Sequence, residues 1–227
     1  MRWFSKRLGV CVVMLAALVG CAAPGLDKAA GSVDVSKESI ALLSVHFKNE
    51  FKPSYPLASV VTHMNALDEK KFVLGQGDFD AESGDLLLSV KLAPGRYQLS
   101  KVNGSTAFSL LRGVMDYSMT TTFVIGSNSV VYLGHLQLVN KEKKNKEDQA
   151  SGGALPLIDQ AVTGFGNGTL DVKLLDRYAK DSALFKSRYP ALKNMDIVRA
   201  PLKQLALERA IGSGAAPIIV TLEQVQN

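Results

Sequence analysis

The sequence predicts a mainly β protein: an antiparallel β-sandwich with a C-terminal α/β appendage. Three observations lead there. Apolar residues recur at every second position in short runs between residues 39 and 139, the spacing that places alternate side chains on one face of a strand. Turn-forming pairs, Pro94-Gly95 and Ser127-Asn128, separate such runs at short intervals. Beyond residue 156 the pattern changes and helix start and stop residues enter.

Taken in order, residues 37–140 carry the predicted sandwich. "IALLSVHF" sets Ala41, Leu43, Val45 and Phe47 on one face and Ile40, Leu42, Ser44 and His46 on the other. "LASVVTHM" and "KKFVLG" are further short strands. "DLLLSVKLAPGRYQLSKV" alternates through Leu86, Leu88, Val90 and Leu92, breaks at Pro94-Gly95 and resumes at Tyr97 and Leu99. There proline presets φ and glycine accepts a positive φ. "TTTFVIG" and "SVVYLGHLQLV" complete the set. The stretch "LAPGRYQL" followed by "FVIGSNSVVYLGHLQL", within residues 86–139, resembles small transthyretin- or immunoglobulin-like sandwich domains of exported bacterial proteins. That resemblance implies an architecture and no activity.

Residues 141–155 form a polar loop, in which basic and acidic side chains alternate too closely to make a field of one sign. From 156 to 227 the appendage is expected to pack on the sandwich. "GTLDVKLL" reads as a strand, and "DSALFKSRYP" as a short helix with Asp181 as N-cap and Pro190 as terminator. "APLKQLALERAIGSG" reads as a second helix with Pro201 in its first turn, and "PIIVTLEQ" as a closing strand.

The N-terminus carries an address. Arg2, Lys6 and Arg7 precede thirteen uncharged residues, Leu8 to Gly20. A helix of that length covers about 20 Å against a hydrocarbon core of about 30 Å. It is too short to span, and the basic start and small residues at its end make residues 1–20 a secretory signal peptide. Leu18-Val19-Gly20-Cys21 resembles the lipobox of bacterial lipoproteins. The resemblance implies a diacylglyceryl thioether on Cys21, cleavage before it, and acylation of the new amino terminus by a fatty acid such as palmitate. Ala22 rather than Asp follows the cysteine, which by the family's sorting pattern implies the periplasmic face of the outer membrane. Residues 21–36, rich in Ala, Gly and Ser, are expected to be a flexible tether.

Composition narrows the function classes. Taking away Arg2, Lys6 and Arg7 lowers the formal net charge from +5 to +2, too little to call for nucleic acid or anionic headgroups. Of two cysteines, Cys11 lies in the signal peptide, so Cys21 alone would remain and no internal disulfide is expected.

The chemical motifs are weak. Asp78, Asp80, Glu82 and Asp85 have the spacing of a calcium loop at first, but Ser83 and Ser89 stand where an EF-hand needs glycine and glutamate; an acidic hairpin loop is the plainer reading. His46, His63 and His135 are the only histidines and share no metal-ligand spacing. "GFGNGT", Gly164 to Thr169, lacks the third glycine of a dinucleotide fingerprint and the lysine of a P-loop. Tyr178, Phe185 and Tyr189 read as core. No catalytic, cofactor-binding or metal residue is therefore expected, and Cys21 is the one expected site. The expected function is a lipid-anchored, periplasm-facing lipoprotein that serves as a non-catalytic binding or accessory module for envelope proteins. The alternative is an envelope hydrolase or ligand-binding enzyme with residues scattered along the chain.

Overall fold

Alternation along the first strand decides which residues face each of two cores. The computed structural model describes residues 25–68, 72–80, 84–108, 111–152 and 159–202. The lipobox with Cys21, Glu82, most of the second expected helix and the expected strand at "PIIVTLEQ" lie outside the described residues. In β1 (Ser39–Asn49), Ala41, Leu43 and Val45 point into a large inner core while Ile40 and Leu42 point into a smaller outer one. The split matches the period of two in the sequence.

Eight strands follow one path. β2 (Ser59–Ala66), β3 (Phe72–Phe79), β4 (Leu86–Leu92), β5 (Gly95–Phe108), β6 (Leu111–Ile125), β7 (Val130–Glu142) and β8 (Gly168–Leu175) join β1 in the order β6-β5-β2-β3-β4-β1-β7-β8. A short β9 (Ile197–Arg199) extends the β7 edge. The chain is mainly β, as its sequence predicts, but the strands curl into a nearly closed barrel rather than an open sandwich. β3 makes the corner. Its residues 72–76 pair with β2, and residues 77–79 pair with β4. At Gly75 a Cβ would come within 2.6 Å of Val90 and 2.7 Å of Thr62, so the corner needs a residue without a side chain.

The opposite side of the barrel is bridged by loop residues. Asp116 N–H donates to Ser151 O, and Ser151 N–H donates to Gly168 O, linking the upper parts of β6 and β8. The side chain of Gln160, in the short helix α1 (Asp159–Val162), imitates a strand: it accepts from Val114 N–H at 2.8 Å and donates to Val114 O at 2.9 Å. Peptide groups that an edge strand would leave bare are satisfied this way.

Two further differences from the sequence expectation have clear causes. The sheet is mixed, because β1 and β7 run parallel, as do β7 and β9. And β8 is a wall of the barrel rather than part of an appendage, since it pairs with β7 over eight residues. What packs on the outside is α2 (Tyr178–Arg188), a single 3-10 turn at Pro190–Leu192, and β9. Phe185, Tyr189 and Leu192 from this segment are fully buried against Ile40, Leu42, Leu87 and Tyr132. Burial of each such side chain contributes about 1.5–3 kcal/mol. The expected tether is docked from residue 25 onward: Leu26 is buried in the same outer core, its N–H donates to Ser89 Oγ at 2.8 Å, and Val33 and Val35 pack beside it.

Candidate functional site

The outer face of β4, β1 and β7 is apolar at one end and polar at the other. Following Ile40 and Leu42, the same face of β1 presents Ser44 and His46. Asp85, the residue just before β4, reaches His46, its Oδ1 lying 2.9 Å from His46 Nδ1. On β7 a bulge is decisive. Gly134 adopts φ +118° and shifts the register, so that Tyr132 pairs with Leu42 while His135, not Gly134, pairs with Ser44. One extra residue on the bulged strand turns His135 outward beside Tyr132. Leu133 and Leu136 consequently both stay in the inner core.

α2 closes the patch. The helix begins at Tyr178, with Arg177 in the N-cap position and Asp176 Oδ1 accepting Tyr178 N–H at 3.1 Å. Asp181 is therefore not the N-cap that the sequence suggests. It sits one turn in, on the helix face toward the sheet, completely buried. Its Oδ2 accepts from Ser44 Oγ at 2.5 Å and from Tyr132 OH at 2.7 Å. Arg177 lies between the two carboxylates, with Nη2 at 2.9 Å from Asp85 Oδ2 and 3.2 Å from Asp181 Oδ1.

The network assigns the His135 proton. Arg177 Nη1, which can only donate, is 2.7 Å from His135 Nε2 and 3.1 Å from Nδ1, and the shorter contact makes Nε2 the acceptor. Ser44 spends its only hydrogen on Asp181, so the Nδ1 facing Ser44 Oγ carries the ring hydrogen. Nδ1–H donates to Ser44 Oγ at 2.8 Å, and Ser44 passes its own hydrogen to Asp181. Burial pushes His135 down to about 4, and the Arg177 guanidinium adds to the effect. Burial, together with the hydrogen bond to Asp181, pushes the Tyr132 hydroxyl well above the usual phenol range. At neutral pH His135 is thus a neutral imidazole.

Ligand atoms of Asp85, His135 and Asp181 lie within 4.8 Å of one another, a spacing that could hold a metal ion. The cation this chain itself supplies there is Arg177, which reaches all three residues. Serine, histidine and aspartate together also have the composition of an acyl-transfer triad. In such a triad the serine hydroxyl faces substrate and gives its proton to the imidazole. Here Ser44 donates to the carboxylate instead, and Ser44, His135 and Asp181 are at most 1% exposed. The arrangement is a buried clamp that fastens α2 to the barrel wall.

Comparisons with known proteins add no family. No family model matches the chain, and no curated protein matches it in sequence. Among solved structures, a leucine-rich repeat protein from Bacteroides thetaiotaomicron is similar, at 14% identity and a TM-score of 0.30. The similarity covers 45% of this chain, which spans only 14% of that protein's length.

The remaining sequence motifs find structural places. Asp80 and Asp85 bracket the β3–β4 turn, where Asp80 N–H donates to Asp85 O, and only Asp85 reaches the clamp. His46 and His135 come together, with ring centroids 6.5 Å apart, whereas His63 lies on β2, paired with Leu74 and Lys101. The "GFGNGT" segment is the turn into β8. Gly164 takes φ +82°, and Phe165 is fully buried in the inner core. Phe185 and Tyr189 stack within the outer core, and Tyr178 OH donates to Ile197 O. Ser44, Tyr132, Arg177 and Asp181 carried no functional expectation from sequence. The available signals were two polar residues on an otherwise apolar strand face and an Arg–Asp pair at i, i+4.

A shallow, open groove of about 370 Å³ lies beside the end of β1, lined by Phe47, Lys48, Asn49, Glu50, Pro53 and Pro56. Its lining includes no histidine or cysteine to serve as base or nucleophile.

Proposed function

We propose that this chain is a lipid-anchored lipoprotein on the periplasmic face of the outer membrane, serving as a non-catalytic binding or accessory module of the cell envelope. The observation that supports a non-catalytic role is how Ser44 and His135 are engaged in the clamp. Each hydrogen-bonding atom a hydrolase would need on Ser44 and His135 is committed within the cluster, Ser44 to Asp181 and His135 to Ser44 and the half-buried Arg177. The anchor rests on the Leu18-Val19-Gly20-Cys21 sequence. Among the described residues no helix is long and apolar enough to cross a membrane.

Anchoring at Cys21 would act over a short leash. Leu26 is fixed to the barrel, and five residue steps of extended chain reach at most about 18 Å. The lipidated protein would hold its body close to the bilayer, with the face carrying Leu26 nearest to it. Two lipid chains or more suffice for stable attachment.

The test pairs two readouts on protein purified from membranes. Intact mass should show a product beginning at Cys21 and bearing acyl chains, with Cys21→Ala released to the soluble fraction. A fluorophosphonate probe should leave Ser44 unlabelled in folded protein. An unmodified Cys21 thiol would end the lipoprotein reading. Labelling of Ser44 that Ser44→Ala abolishes would favour the hydrolase.

A further inference from the structure

The centre of the clamp has the layout of a metal site with an arginine in the metal's place. Asp85, His135 and Asp181 are all buried, and each offers a ligand atom within 4.8 Å of those of the other two. Arg177 Nη1 lies 2.7 Å from His135 Nε2, while Nη2 lies 2.9 Å from Asp85 Oδ2 and 3.2 Å from Asp181 Oδ1. One side chain thus puts its positive charge where three sets of lone pairs converge. An imidazole nitrogen and two carboxylate oxygens are donor types that zinc takes.

A guanidinium made for this position would satisfy every oxygen it faces, and it leaves one short. Asp181 is fully buried, yet its Oδ1 makes no hydrogen bond, only the ion pair at 3.2 Å. The other oxygen, Oδ2, receives both Ser44 Oγ and Tyr132 OH. The two hydroxyls therefore fix the carboxylate by one oxygen and leave the second turned toward the centre. A buried polar atom in that state calls for an explanation, and an ion is one.

The groups behind the other ligand atoms are set in the same way. A ligating histidine ordinarily donates its second ring N–H to a neighbour, which fixes its tautomer and orientation. His135 Nδ1–H does so to Ser44 Oγ and leaves Nε2 bare toward the centre. Asp85 Oδ1 is held by His46 Nδ1 at 2.9 Å, which leaves Oδ2 facing Arg177. The side chains of His46 and Arg177 are 35% and 23% exposed, so these two mark the side on which the cluster meets solvent.

We propose that Asp85 Oδ2, His135 Nε2 and Asp181 Oδ1 form a binding site for a divalent zinc ion, which displaces the Arg177 guanidinium toward solvent. Zinc bonds of about 2.0–2.2 Å are shorter than the Arg177 contacts, so the exchange draws α2, which carries Asp181, closer to the wall that holds Asp85 and His135. Water completes the coordination on the open side. The freed guanidinium then stands at the start of α2 as a surface cation, and metal binding changes the charge that this face shows to a partner. The site does not depend on Cys21, so its test and that of the anchor fail separately.

Zinc chloride titrated into the chelator-treated full chain at pH 7.5, followed by calorimetry and by histidine nitrogen-15 resonances, tests the proposal. One zinc should bind per chain, shifting His135 Nε2 and leaving the Nδ1 proton in place. Arg177→Ala keeps all three ligands and removes their competitor, and should bind zinc at least tenfold more tightly. Asp181→Asn and His135→Gln should each weaken binding at least tenfold, whereas His63→Gln, outside the cluster, should leave it unchanged. Circular dichroism of each variant separates a lost ligand from a lost fold. Equal or weaker affinity in a folded Arg177→Ala variant would overturn the proposal, as would binding that survives His135→Gln unchanged. An unmoved His135 Nε2 in the unaltered chain at saturating zinc would overturn it without recourse to any variant.

Discussion

Replacing Asp181 by alanine is the sharpest test of the clamp's energetics. The change removes the acceptor of two buried hydroxyls, Ser44 Oγ at 2.5 Å and Tyr132 OH at 2.7 Å, and one of two carboxylates that face Arg177. A hydrogen bond to a charged acceptor contributes about 1.5–3 kcal/mol. Breaking a buried ion pair by deleting one partner costs about 3–5 kcal/mol, because the other charge stays buried. The two ranges describe overlapping parts of one network and do not add. Arg177 keeps Asp85 and is partly open to solvent, with 23% of its side chain exposed, which favours the lower part of the second range. The expected loss is about 3 kcal/mol, or about 6–12 °C in Tm for a domain of this size. Urea unfolding at pH 7.5, followed by far-ultraviolet circular dichroism, would read it as a fall in midpoint at constant slope. Asp181→Asn keeps the volume and loses the charge, so a comparable loss assigns the effect to charge rather than to a cavity. A loss below about 1 kcal/mol in both variants would refute the reasoning.

Other expectations follow from the same geometry. His135 is held down to about 4 in the folded protein, below its ordinary value of 6.5, so the unfolded chain binds the extra proton first. Its contribution is complete above pH 6.5, falls as pH drops through that window, and is lost by about pH 4, a change of about 3 kcal/mol. Denaturant midpoints across that range should show the slope, and His135→Gln should flatten it. Gly134→Ala places a side chain at φ +118° and 3.3 Å from Leu175 O. It should cost about 1–3 kcal/mol and disturb the register that pairs Ser44 with His135, visible as shifted amide resonances of both. Gln160→Leu would strip both hydrogen bonds from Val114 and lower stability by about 1–3 kcal/mol, with faster exchange of the Val114 amide as the local readout.

Much of the barrel was legible because β1 obeys one rule along its length. Every second residue of "IALLSVHF" goes to one core, and the alternation assigned Ala41, Leu43 and Val45 to a different face from Ile40 and Leu42 before any coordinates. Closure was not legible. It depends on Gly75 at the corner and on Gln160 imitating a strand, and neither has a periodic signature. The clamp was hidden for a related reason. Ser44 and His135 are separated by 91 residues and aligned only by the Gly134 bulge, which sequence alternation alone would have set one residue off. Asp181 looked like an N-cap because a short polar residue before an apolar run usually is one. Asp176 already serves Tyr178 N–H, which freed Asp181 to turn inward. The docked stretch from Leu26 to Val35 misled through composition, since small residues pack against a sheet as readily as they form a loose leash.

The clamp is most directly examined by nitrogen-15 resonances of labelled histidine. His135 is expected to hold one proton, on Nδ1, with Nε2 bare and accepting from Arg177, and to stay in that state as pH falls from 8 to 5. A proton found on Nε2, or a His135 titration centred near 6.5, would contradict the account and reopen Ser44, His135 and Asp181 as a reactive set.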